Sequence, residues 1–141
     1  MRISNIFLTV DVILIKASAG TTSQLLLIKR KKDPFQNGWA LPGGFVDEHE
    51  DLETAAIREL AEETGIKISK AEQLQAFGKP HRDPRGHMVS VAFFAYADEH
   101  AIAIAADDAA DAQWFAINDL PKLAFDHSEI INFALSKYDL L

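Results

Sequence analysis

The chain has 141 residues, 48% hydrophobic and 25% charged, proportions of a globular domain that exclude disorder, collagen-like repeats and a coiled-coil rod. Fourteen Lys and Arg against twenty-one Asp and Glu leave a formal charge of −7, which opposes grip on a nucleic-acid backbone; the absence of cysteine removes disulfides, thiolate zinc sites and a cysteine nucleophile. An anionic ligand on so acidic a chain needs a local reversal of the field, for which a divalent metal on clustered carboxylates is the obvious device.

At the N-terminus, Arg2, the apolar run Ile6 to Ile15 and the small triplet Ala17-Ser18-Ala19 imitate a secretion signal. Asp11 interrupts that run, however, and Leu8, Val10, Val12 and Leu14 share one apolar face, so the period-two pattern predicts a strand over 5–16 instead. A polar loop (17–23), a strand (24–29) and the basic cluster Lys29-Arg30-Lys31-Lys32 follow. The turn-rich 33–38 leads into Trp39-Ala40-Leu41-Pro42-Gly43-Gly44, where Pro and paired Gly force an irregular backbone. A helix is predicted over 52–64, with Asp51 as N-cap and Gly65 as stop. Strands are expected at 73–79, 88–97 and 113–117, the last two separated by an Ala- and Asp-rich loop. Asp126 and Glu129 have the spacing of a capping box before a helix over 130–138. No run approaches the ~20 apolar residues of a membrane span, so no membrane partner is expected, and a cytoplasmic location suits the cysteine-free chain. The expected fold class is α/β: one domain over 1–141, its sheet covered on both faces.

The segment that carries chemistry lies on the first helix. At about 100° per residue, Glu59, Glu62 and Glu63 at i, i+3 and i+4 share a face, while Ala56, Ile57, Leu60 and Ala61 supply an arc for packing. Three like charges within one turn repel, and a hard cation relieves the repulsion; carboxylate oxygens are the ligands Mg²⁺ prefers, with substrate phosphates completing its shell. Alone, the three glutamates equally suit an ordinary solvated helix. The surrounding spacing decides: Gly44, five residues, Glu50, seven residues, Arg58-Glu59-Leu60, any, Glu62-Glu63, any, Gly65-Ile66. At residue frequencies of roughly one in fifteen, its seven identities and two hydrophobic positions recur by chance about once in ten million such chains.

This segment resembles the Nudix box, and the resemblance implies a Nudix-type α/β/α sandwich with a mixed central sheet, the box forming a loop-helix-loop metal motif. It also implies a hydrolase that cleaves a pyrophosphate linkage in a nucleoside diphosphate joined to another group, with Mg²⁺ or Mn²⁺ as cofactor. Carried over by position, Glu59 and Glu63 look like direct metal ligands, Glu62 a direct or water-mediated one, and Gly43 a carbonyl ligand. Arg58, with Glu50 as partner, would orient the carboxylates. Leu27–Arg30 through Gly44, the stretch Phe77 to Ala92 with its Asp83-Pro84-Arg85-Gly86, Ala112–Phe115 and Leu123–His127 look like the ADP-ribose pyrophosphatase branch, which also includes sensor domains of transcription regulators. His87 stands where that branch would carry a further Arg. The implied reaction is ADP-ribose to AMP and ribose 5-phosphate, in a homodimer. Hydrolysis of nucleoside triphosphates or diadenosine polyphosphates, and non-catalytic ADP-ribose sensing, are the alternatives.

For a nucleotide substrate, Arg82 and Arg85 flank a turn that can aim two guanidinium forks at phosphate or ribose; equally, such a turn pairs its arginines with nearby carboxylates. Arg30 at a strand end is a third cation of this kind. Phe35 and Trp39 suit stacking on adenine or plain packing, and His127 suits a structural place beside a helix N-terminus. For the general base, Glu63, Asp98, Glu99, Asp107 and Asp108 all have the right chemistry, and the sequence selects none.

Overall fold

Alternation in the first strand sets the architecture of the computed structural model, which describes residues 1–17 and 20–140. Nine elements follow in order: β1 (Ile6–Lys16), β2 (Gln24–Arg30), β3 (Trp39–Ala40), β4 (Gly43–Phe45), α1 (Leu52–Thr64), β5 (Glu72–Phe77), β6 (His87–Tyr96), β7 (Ala109–Ala116) and α2 (His127–Lys137). β1 pairs parallel with β6, from Ile6 opposite His87 to Ile15 opposite Tyr96; the other pairings are antiparallel, so the sheet is mixed.

Successive residues of β1 point to opposite faces, and each face has its own helix. Val10, Val12 and Leu14 pack with Leu26, Phe93 and the Ala55, Ala56 and Leu60 of α1. Ile13 and Ile15 pack with Leu25, Leu27, Phe94 and the Ile130, Ile131, Ala134 and Leu135 of α2. Each fully buried aliphatic side chain is worth roughly 1.5–3 kcal/mol relative to exposure, so these two layers dominate the favourable side of folding. The result is the expected α/β/α sandwich.

β1 and β2 touch only near one end, at Ile15–Leu25 and Lys16–Gln24, and diverge toward the other. The short strands β3 and β4 fill the gap: Ala40 and Trp39 pair with Ile28 and Lys29 of β2, and Gly43 to Phe45 pair with Asp11 to Thr9 of β1. Between them, Val12 N–H donates to the Pro42 carbonyl at 2.8 Å. The segment expected to be merely irregular is thus held in the sheet, directly against the box helix.

α1 runs as predicted. Asp51 caps it by accepting from Glu53 N–H at 3.1 Å, and Gly65 ends it in the left-handed region at φ 73°, donating to Ala61 O at 2.9 Å. Two expectations need correction. β7 begins at Ala109, four residues before the predicted strand, because the Ala-rich run lies along β2 as far as Arg30. The capping box before α2 does not form: the helix starts at His127, and the Asp126 carboxylate binds Arg82 instead of the helix N-terminus. Ser18 and Ala19, in the predicted loop and in the signal-like triplet, lie outside the described residues. No helix among the described residues is long and apolar enough to cross a membrane.

Candidate active site

Ala56, Leu60 and Glu63 follow one another at i, i+4 and i+7, so a carboxylate occupies a core position on α1, where Glu63 is only 5% exposed. Glu62 is turned 100° away from Glu63 on the helix, and its side chain is 45% exposed; Glu59, between the two, is at 14%. The three glutamates therefore fan from core to solvent rather than forming one even cluster. Ile57 and Ala61, expected in the packing arc, are only partly buried.

Backbone and side chains fix each carboxylate. Glu63 Oε1 accepts from Gly43 N–H at 2.8 Å. Ladder bonds from Val12 N to Pro42 O and from Val46 N to Leu8 O put Gly43 opposite Asp11 in the non-hydrogen-bonded register, so its amide points away from β1 toward α1. Burial pushes the Glu63 carboxyl up to about 8, with Glu59 and Asp11 adding to the shift against the Gly43 hydrogen bond. Glu59 lies against Gly44 so closely that a Cβ there would stand 2.6 Å from its carboxylate. Burial raises the Glu59 pKa, opposed by Arg58.

Arg58 is the hub of the exposed side. Its Nε and Nη2 donate to Glu50 at 2.7 and 2.9 Å, Nη1 to Glu59 and Glu62 at 3.0 and 3.1 Å, and Nη2 also to the Phe45 carbonyl at 3.1 Å. The bonds from Arg58, with one from the Asp47 amide, hold the Glu50 carboxyl down at about 2. Hence Arg58 and Glu50 stand together, with Arg58 against two of the three glutamates.

Glu59, Glu63 and Gly43 line a cleft of about 330 Å³ whose remaining walls carry the cations Arg30, Lys31, Lys32, Arg82 and Arg85. The Arg30 guanidinium sits 5.0 Å from the Phe125 ring centre and that of Arg85 5.4 Å from it. Arg85 is bidentate to Asp83 at 2.7 and 3.1 Å; burial raises the Asp83 carboxyl, but the Arg85 bonds outweigh it and leave the pKa lowered. Arg30 donates from Nε to the Pro34 carbonyl at 2.7 Å and makes no ion pair among the described residues. Burial and the nearby Arg85 lower its pKa.

Other expected residues are directed elsewhere. Arg82 is engaged by Asp126, with bonds of 2.6 and 2.9 Å, and its side chain is 5% exposed; it ties the 80s turn to the start of α2 rather than offering a free fork to the cleft. Trp39 packs edge-on against Phe115 at 4.9 Å in the α2-side core, and Phe35 packs on Phe125 at 4.7 Å; neither lines the cleft. Glu62 does not line it either. Of Asp98, Glu99, Asp107 and Asp108, only Asp108 does. Its segment is pinned to the end of α1 by Ala106 N–H to Glu63 O at 3.0 Å and Ile104 N–H to Thr64 O at 2.9 Å.

Sequence reasoning gave the lining residues Asp11, Asp83 and Phe125 no role of their own. Asp11 counted only as a break in an apolar strand, though a carboxylate at a buried strand position is itself a signal. Asp83 accepts from Arg85 N–H at 2.9 Å, the local turn bond that Asp before Pro favours. Phe125 sits at φ 53°, which nothing in its residue type announces. Among the described residues no three His, Asp or Glu side chains are preassembled as a metal cage. The donor set nonetheless suits a hard divalent cation: all oxygen, with Glu63 buried and making no ion pair among the described residues.

The chain is similar to known proteins in sequence and in fold. The NUDIX domain profile matches residues 7–133. An ADP-ribose pyrophosphatase of Methanocaldococcus jannaschii is 47% identical over 109 residues, 77% of this chain and 64% of that protein. An ADPR responsive transcriptional repressor of Acinetobacter baylyi is 37% identical over 134 residues, 92% of this chain and 53% of that protein. The chain thus spans less than two thirds of either relative. The crystallised NUDIX domain of Shewanella oneidensis NrtR, complexed with ADP ribose, superposes with a TM-score of 0.87 at 35% identity, covering 96% of this chain and 90% of that one. With the box residues in place on a matching fold, the chain belongs to the NUDIX domain family.

Proposed function

We propose that the chain is a Mg²⁺- or Mn²⁺-dependent hydrolase of the pyrophosphate bond in nucleoside diphosphate conjugates, with ADP-ribose as substrate and AMP and ribose 5-phosphate as products. One observation carries this reading: the box carboxylates Glu59 and Glu63 and the Arg30–Phe125–Arg85 group share one cleft, a metal-holding side and an anion-holding side. ADP-ribose as substrate is supported by the similarity to the pyrophosphatase and to the NUDIX domain complexed with ADP ribose.

Glu59, Glu63 and the Gly43 carbonyl would hold the metal, with Glu62, outside the cleft, reaching it only through a water; when bound, the metal neutralises the diphosphate and lowers the pKa of an attacking water. Arg58, anchored on Glu50, keeps Glu59 and Glu62 oriented. Arg30 and Arg85 bind the diphosphate oxygens. Asp108, the segment's acid that lines the cleft, accepts the proton of the attacking water. The same reading takes 1–141 as one cytoplasmic domain that forms a homodimer. Ile6, Phe7 and Phe45, each 44–52% exposed on adjoining strands, offer apolar surface for a second copy, and light scattering measures the mass directly.

Purified chain incubated with Mg²⁺ or Mn²⁺ and a panel of ADP-ribose, nucleoside triphosphates and diadenosine polyphosphates tests the assignment. Fastest release of AMP and ribose 5-phosphate from ADP-ribose is expected; activity confined to another member overturns the substrate. Similarity to the repressor favours a second reading, ADP-ribose binding without turnover, which the same assay separates.

A further inference from the structure

Asp11 and His127 are buried, line the cleft and have no part in the hydrolysis proposed above. A carboxylate and an imidazole taken out of water are costly unless engaged, so their partners are informative. Ser90 Oγ–H donates to Asp11 Oδ2 at 2.5 Å, and His127 Nε2 lies 3.6 Å from Asp11 Oδ1. On the other side of the ring, Leu41 N–H donates to His127 Nδ1 at 3.0 Å. With Nδ1 accepting, the ring proton sits on Nε2, facing Asp11. Burial favours this neutral ring.

Leu41 opens the segment whose third residue, Gly43, donates to Glu63 at 2.8 Å. Between them Pro42 O is fixed by Val12 N–H, and Gly43 packs so closely on β1 that a Cβ would stand 2.1 Å from Val10 O. One end of a short, tightly confined segment is therefore held by an imidazole from α2, and the other holds the buried carboxylate of α1. The Ala124–Phe125–Asp126–His127 tail thereby reaches the box through the backbone.

We propose that His127, packed beside the Ser90-bonded carboxylate of Asp11, is a positioning residue for Glu63, acting through the Leu41 and Gly43 amides. The inference rests on the reading of Glu63 as a metal-holding carboxylate. A His127 that merely tied α2 to the sheet would affect stability and leave metal affinity alone.

Mn²⁺ binding to the whole chain, followed by electron paramagnetic resonance of the free ion, separates the cases when run beside thermal unfolding on H127N, H127L and E63Q. Asn Oδ1 can take the place of Nδ1 as acceptor, whereas Leu keeps apolar volume and accepts nothing. H127L is expected to weaken Mn²⁺ binding about tenfold or more, the usual size for losing a group that orients a metal ligand, and H127N to stay near the wild-type affinity. Gly43 amide exchange in the metal-free chain should quicken in H127L alone. A folded H127L that binds Mn²⁺ like wild type, or an H127N as weak as H127L, overturns the positioning role. E63Q binding Mn²⁺ as tightly as wild type overturns the metal reading of Glu63 itself. Should H127L fail to fold, nitrogen-15 resonance of the wild-type ring decides: an unprotonated Nδ1 coupled to the Leu41 amide is expected, and a protonated Nδ1 overturns the proposal.

Discussion

Two neighbouring glycines perform different work. A Cβ at Gly43 would meet the Val10 carbonyl at 2.1 Å, a backbone atom that cannot step aside, whereas one at Gly44 would meet the far end of the Glu59 side chain at 2.6 Å. G43A should therefore destabilise the fold by roughly 1–3 kcal/mol or more, as overpacking does. G44A should leave the unfolding temperature nearly unchanged but displace Glu59 and raise the Mg²⁺ needed for activity by about tenfold. Chemical unfolding and Mg²⁺ titration of both variants distinguish this pattern from its reverse. Glu63 supplies a second residue-scale prediction. Its carboxyl titrates at about 8 in the folded chain against 4.5 ordinarily, so between those values the unfolded chain releases a proton that the folded one keeps. The contribution of Glu63 to stability in the metal-free chain must then fall as pH rises through that window, and E63Q should remove that part of the slope in denaturant midpoints. The sequence made the box residues legible because their spacing is a pattern; Asp11 and Phe125 were not legible, because their importance lies in partners far along the chain.

Elements bring those partners together. α1 was readable to the residue from its cap, its apolar stripe and its terminal glycine. β3 and β4 were not, since strands of two and three residues carry no periodicity and exist only because β1 and β2 diverge. The capping box before α2 failed for an equally physical reason: a bidentate guanidinium holds the Asp126 carboxylate, and the Glu129 amide bonds the Asp126 carbonyl instead. The acidic segment before β7 shows what element position adds. Four acids there were chemically equivalent as sequence, but the pinning of Ala106 and Ile104 to the end of α1 and the pairing of β7 leave Asp108 alone of them at the cleft. D108N should lower kcat by roughly 10²–10⁴ with little change in KM, the range for removing a general base. Asp98, Glu99 and Asp107 replaced by their amides should keep wild-type kcat. Steady-state kinetics on the four variants checks this, and equal losses in all of them would contradict it.

At the scale of the whole molecule, the charge of −7 takes on a local meaning. Negative charge converges on α1 and the cleft beside it, while cations line other walls of the same cleft, so a nucleotide diphosphate and a divalent cation suit the site together better than either does alone. Phosphorus-31 resonance of ADP-ribose mixed with the wild-type chain or with E63Q, in Mg²⁺ and in chelator, tests that claim most directly. Wild type in Mg²⁺ should convert the diphosphate signals into two phosphomonoester signals, chelator should stop the conversion, and E63Q should slow it by roughly three orders of magnitude while remaining folded. Diphosphate signals that persist beside wild-type chain and Mg²⁺, or equal rates with and without the Glu63 carboxylate, would contradict the account.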